Sequence, residues 1–233
     1  MSMHFDLAAV LQGDYGTLFL HGLETTVTIA VSAWILAMAG GIVLATMRMT
    51  ENRPAQWFVN TFVAYHRNVP MLVQLLFWYF GISSVLPASV QTFLNQYNSQ
   101  ELFAIIAIGL CSAAYLTEDL RSGLRSIPKG QYEASRALGL GFVKASRFVI
   151  LPQALRNALP SMVNHSVLLF KNTSLGMVIG AAELTYATRQ IENQTFLSFE
   201  SYFVATVLYL AASLLIMGAG ALLARRFRVA GAR

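Results

Sequence analysis

The sequence predicts an all-α integral membrane protein with about five transmembrane helices, and three observations predict it. Hydrophobic residues make up 56% of the 233 residues and charged residues only 12%, where a soluble domain carries roughly 25% charged. Several segments of about bilayer length run with few or no charges, and a helix crossing the ~30 Å hydrocarbon core needs ~20 such residues. Lys and Arg gather between and after these segments, so the net charge of +5 belongs to membrane loops and no nucleic-acid surface is expected. The only cysteine, Cys111, lies in an apolar run, which leaves no disulfide framework and no paired-cysteine metal site.

Taken in order, the first span is Thr25 to Met47 (about 25–47). The first twenty residues hold no Lys or Arg, so this helix is expected to act as an uncleaved insertion signal. Gly40-Gly41 inside it reads as a close helix contact, because small residues let backbones approach in lipid. Trp57 to Tyr65 is short and aromatic and reads as an interfacial helix leading into the second span, Val69 to Leu86 (69–86). The third span, Leu102 to Leu120 (102–120), is charge-free until Glu118 and Asp119. The fourth, about 157–181, is long enough but interrupted by Lys171-Asn172-Thr173-Ser174. The fifth is Tyr202 to Leu223 (202–223). The whole chain, 1–233, reads as one transmembrane domain.

The basic residues set an orientation. With the N-terminus outside and the C-terminus inside, Arg48, Arg53 and Arg67, all those from Arg121 to Arg156, and Arg225, Arg226, Arg228 and Arg233 are cytoplasmic. Only Arg189 stays outside, with Lys171 inside the fourth span. The opposite orientation would translocate nearly every positive charge.

Residues 121–156 form the longest polar segment. Gly130 to Gly139 reads as a short helix, with Glu133 favouring its positive end and Gly139 a C-terminal stop. Phe142 to Ile150 places Phe142, Ala145, Phe148 and Val149 on one face and Lys144 and Arg147 opposite, and Pro152 is expected to end it. Two short cytoplasmic helices joined at a glycine result. Small side chains at Ala134, Ser135 and Gly139 would let this elbow press against another protein.

On these residues the chain resembles the permease subunits of bacterial ABC importers. Their coupling-loop pattern, E-A-A, three residues, G, nine residues, I, one residue, L-P, is met by Glu133, Ala134, Ser135, Gly139, Val149 and Leu151-Pro152. Ser135 replaces the second alanine and Val149 the isoleucine. Arg67-Asn68-Val69-Pro70 with Leu72 to Leu75, Ala114 to Glu118, Lys171 to Leu175 and Glu183-Leu184 look like the polar amino-acid branch. The run around His66-Arg67-Asn68-Val69-Pro70 is similar to permeases for glutamate and aspartate. The resemblance implies a complex in the bacterial inner membrane. In it, two permease subunits, identical or paralogous, join a pair of cytoplasmic ATPase subunits and an extracytoplasmic substrate-binding protein. It assigns ATPase coupling to Glu133, Ala134, Ser135, Gly139, Leu151 and Pro152.

For the substrate pathway the residues of interest are Lys171, Asn172, Thr173, Ser174, Glu118, Arg67 and Gln74. Lys171 is the ionisable residue farthest from a predicted interface, and such residues are functional by default. It either attracts a substrate carboxylate or snorkels to the outer headgroups. Glu118 has a plainer reading as an i,i+3 partner of Arg121, Arg67 as a headgroup anchor, and His165 as a helix-packing hydrogen bonder. A secondary carrier or channel would not need the basic two-helix loop. A membrane enzyme would need a nucleophile and base or metal ligands, and HExxH is absent. No GK[ST] phosphate loop is present either, so ATP hydrolysis is expected in a partner, without cofactor or metal here.

Overall fold

A computed structural model describes residues 6–226, and no strand occurs among them. Arg228 and Arg233, counted above for orientation, lie outside the described residues. After a short α1 (Leu7–Leu11), α2 runs over Asp14–Met49. At ~1.5 Å per residue, its 36 residues extend about 54 Å, well beyond a ~30 Å core. The helix begins at Asp14 rather than Thr25, so its first turns, with His21 and Glu24, stand clear of the apolar stretch. Across its middle, Ile29, Ala33 and Ala37 pack on Ala104, Ala107 and Ile108 of α7 (Ser99–Arg125). Lipid tails are as apolar as leucine, so contact area of this kind, not water exclusion, holds helices together in a membrane. Gly40 and Gly41 face α7 as expected. A Cβ on them would lie 3.1 Å from Ala113 Cβ and 3.0 Å from Leu116 Cβ.

The second span departs from the expected single rod. α3 covers Arg53–Asn68, longer than the aromatic stretch alone, with Asn52 capping it by accepting from the Ala55 N–H. Next come α4 (Met71–Leu76), a π turn over Phe77–Ile82 and α5 (Ser83–Val85). The axis bends by 109° between α3 and α4. Pro70 is the cause: a proline pushes its predecessor out of the α region, and Val69 is extended at ψ 130°. Met71 to Val85 spans only ~22 Å, short of the bilayer core by itself. Among the described residues, three helices, α2, α7 and α12 (Ser198–Arg226), are long and apolar enough to cross a membrane, and five spans result when each bent pair counts as one.

α6 (Ala88–Asn95) leads into α7, which continues to Arg125, and α8 (Lys129–Ala137) follows. Here the expected end at Pro152 is overturned. α9 (Phe142–Ala145), a π turn over Ser146–Ile150, α10 (Leu151–Asn172) and a 3₁₀ segment over Thr173–Ile179 form one continuous run. Pro152 sits in the first turn of α10, where its missing N–H is tolerated, and the Leu151 N–H reaches five residues back to the Ser146 carbonyl. The buried face also differs from the expected one. Ala145 and Val149 turn inward as expected, joined by Ile150, while Phe142 and Phe148 face out. A π turn rotates the side-chain register in this way. The interruption expected at Lys171–Ser174 is where α10 tightens into 3₁₀ geometry, and Gly180 at φ 83° ends the run. α11 (Leu184–Thr195), bent by 49° from the preceding run, and α12 complete the described residues, with α12 burying only a narrow stripe.

Candidate functional site

α8 and the start of α9 build a compact elbow. α8 stops in a Schellman arrangement: Gly139 at φ 74° donates to the Arg136 carbonyl (2.9 Å) and Leu140 to the Ser135 carbonyl (3.0 Å). Gly139 therefore fulfils the helix-stop role read from its position. Glu133 does not sit in the first turn and cannot serve the helix N-terminus as expected; it lies mid-helix with its side chain in solvent. Ser135 is buried, and its Oγ donates to the Gln131 carbonyl at 2.7 Å, so a hydroxyl fits where the pattern has a methyl. Ala134 and Gly139 lie exposed beside a cluster of bare apolar side chains. Leu138 is 81% exposed, Phe142 78%, Val143 74% and Phe148 66%. Leu151 is exposed and Pro152 half-buried at the same elbow. An apolar patch of this kind on a polar segment marks a surface made to meet a protein or a membrane.

The residues proposed for the pathway fall into two groups, with no hydrogen bond or ion pair between them among the described residues. In the first, Glu118 on α7 is held by guanidiniums from two directions: Arg48 of α2, and Arg121 through Nε at 3.0 Å and through Nη2. The i,i+3 pair is present, and Arg48 is an additional partner that spacing could not show. Arg67 stacks over the Tyr115 ring, 5.7 Å from its centroid. Gln74 is completely buried; its Nε2 donates to the carbonyls of His66 (3.0 Å) and Val69 (2.8 Å), and its Oε1 accepts from His66 Nδ1 at 2.6 Å. It thus satisfies backbone groups opened by the bend at Pro70.

In the second group, Lys171 is exposed and lines a groove with Ser174 and, from α12, Tyr209 and Ser213. Ser213 Oγ is buried and has no hydrogen-bond partner among the described residues. Thr173 turns inward, its hydroxyl donating to the Phe170 carbonyl at 2.7 Å, and Asn172 is half-buried. Of the four polar residues, Lys171 and Ser174 face the groove.

Two further polar clusters escaped the sequence reading. Buried Asp119 accepts from Ser161 Oγ (2.5 Å) and from His165 Nδ1 (2.6 Å), which ties α7 to α10. His165 is thus a helix-packing hydrogen bonder, as read, with Asp119 its partner. Two ionisable residues inside spans were the available signal, since such groups pair. Glu183, fully buried, caps α11 by accepting from Thr185 N–H (2.8 Å) and Tyr186 N–H (2.9 Å), and also accepts from Tyr209 OH (2.7 Å). A carboxylate at a helix N-terminus is favoured by the dipole. Through Tyr209 it fastens α12, while Thr26 of α2 accepts from the neighbouring Leu184 N–H at 3.0 Å.

Residues 37–229 match the family described as binding-protein-dependent transport system inner membrane component. The chain belongs to that family. It is 31% identical over 209 residues to the arginine transport system permease protein ArtQ of Bacillus subtilis (strain 168), covering 90% of this chain and 92% of that one. It is 28% identical over 214 residues to the glutamate/aspartate import permease protein GltJ of Escherichia coli (strain K12), covering 90% and 87%. A crystal structure of an amino acid ABC transporter with histidines superposes with a TM-score of 0.82 at 29% identity, over 96% of this chain and all of that one. The inward-facing MetNI methionine ABC transporter, at 20% identity and a TM-score of 0.66, shares the fold. As an inner membrane component of a binding-protein-dependent system, this family member is an integral membrane protein, and its run of apolar helices agrees.

Proposed function

We propose that this chain is the permease subunit of an ATP-driven importer of polar amino acids, with the elbow at α8 and α9 as the dock for a cytoplasmic ATPase. Family membership along residues 37–229 carries this reading, and the bare apolar elbow supports the docking part. The chain itself hydrolyses no ATP. It works as a pair of permeases with two ATPase subunits and an extracytoplasmic binding protein, its N-terminus outside and its C-terminus inside. Relatives named for arginine, glutamate/aspartate, glutamine and nopaline resemble it to a comparable degree. The substrate class is therefore polar amino acids, with glutamate and aspartate a narrower option that only His66 to Pro70 favours. Lys171, facing the groove beside α12, is the candidate to attract a substrate carboxylate on the path, with Ser174 beside it. Glu118, Arg67 and Gln74 are candidates for positioning the path's walls.

The test is uptake and ATP hydrolysis by the reconstituted complex. Glu133→Arg and Gly139→Val should leave the permease in the membrane and cut both activities at least about tenfold, the effect of losing ~1.4 kcal/mol of docking energy. Lys171→Ala should cut uptake while basal ATP hydrolysis persists, and Lys171→Arg should keep part of it. Wild-type rates in both elbow variants would exclude the elbow as the dock. Normal uptake in Lys171→Ala would leave that lysine as a lipid anchor.

A further inference from the structure

Two adjoining clefts between α2, α3 and α7 share Arg48 and Asn60. Arg67 and Arg125, which have no carboxylate within ion-pair distance among the described residues, line them together with Arg121 and Gln56. Glu118 is the only acid in the lining, and it is already shared by Arg48 and Arg121. The neighbouring carboxylate, Asp119, is buried and turned to Ser161 and His165 on α10. Four permanently charged guanidiniums against one carboxylate leave a strong surplus of positive charge. Arg48 and Arg121 hold it in place, since their side chains are only 24% and 30% exposed. Guanidiniums present forked donors that match phosphate oxygens.

From this juxtaposition we infer a binding site for a phosphate-bearing anion, and its occupant is the headgroup of an anionic membrane lipid. The surroundings of the cleft select the lipid over a free ion. Met49, which lines the cleft and is 61% exposed, and Trp57 (71% exposed), next to the lining Gln56, offer bare apolar surface at its edge, and acyl chains of a bound lipid would cover those side chains. Basic pockets between transmembrane helices take such headgroups. The site uses none of the residues assigned to ATPase docking, nor Lys171; it shares Arg67 and Glu118 with the candidates for the path's walls, and it stands whichever amino acid is carried.

The experiment takes the purified permease–ATPase complex, delipidated in mild detergent and titrated with phosphatidylglycerol or phosphatidylcholine, with bound lipid counted by native mass spectrometry. Phosphatidylglycerol should be retained and phosphatidylcholine not, and a matching concentration of inorganic phosphate should fail to displace it. Arg67→Gln combined with Arg125→Gln should weaken retention roughly 30-fold, at ~5-fold for each basic residue. Asn60→Glu, a single change on the exposed side of α3, should weaken it too and decides the matter if the double variant does not assemble. Arg226→Gln at the end of α12 should change nothing. Equal retention of phosphatidylcholine, or retention unaffected by the cleft variants, overturns the site. Displacement by inorganic phosphate assigns it to a free anion and overturns the lipid.

Discussion

Gln74 replaces the hydrogen bonds that a straight helix would have made at the α3–α4 bend. Its amide donates to two carbonyls and accepts from one imidazole; the two bonds to His66 are buried and the one to Val69 partly so. Gln74→Leu keeps the volume and removes all three bonds, which leaves buried polar groups unpaired at ~1–3 kcal/mol each. The variant should unfold in detergent at least about 6 °C below wild type, given ~2–4 °C per kcal/mol for a chain of this size. An unchanged thermal midpoint would mean that Pro70 alone holds the bend. Gln74 stood out in the sequence as a polar residue in an apolar run, but its partners are two carbonyls and an imidazole five and eight residues back, which come within reach only once the chain has bent. Gly139 was legible, because a left-handed helix end needs glycine and the need is local.

At the scale of elements, the run Phe142–Ile179 joins the exposed elbow to the Lys171 groove as one rod. From Phe142 to Lys171 it measures ~44 Å at ~1.5 Å per residue. Its packing on α7 passes over Gly123, where an added Cβ would lie 2.4 Å from the Ala154 carbonyl and 2.9 Å from Ala158 Cβ. Gly123→Val must push α10 off α7 and strain the Asp119–Ser161–His165 bonds. It should cost ~1–3 kcal/mol of stability and reduce coupled uptake, measured by thermal unfolding and transport. Gly218→Ala, with open space around it, should be neutral or slightly stabilising. Equal behaviour of the two would show that the α7–α10 approach is not tight. Helix periodicity announced α10 but not its union with α9: Pro152 reads as a stop, and only the π turn before it makes room for a continuous helix.

For the whole molecule, orientation is the property to test. In a Cys111→Ser background, single cysteines at Ser89 and Gln194, both on exposed surface, should react with a membrane-impermeant thiol reagent from outside. One at Ser126, at the end of α7, should react only after the membrane is opened. Labelling of Ser126 in intact cells would reverse the orientation drawn from the basic residues.

Some properties of this protein are additive along the chain, and the sequence by itself determined those. Apolar length specified which segments seek lipid, basic residues between them suggested a sidedness, and spaced small residues and glycines marked the elbow and the α2–α7 contact. Other properties depend on which distant residues meet, and only the tertiary structure decided them. Arg48 on Glu118, Asp119 on His165 and Ser161, and Glu183 on Tyr209 join helices separated by 26 to 70 positions. An ionisable side chain buried inside a membrane is paired, so its type predicts that a bond exists. Which bond forms is set by how the helices cross, and no local pattern encodes that crossing.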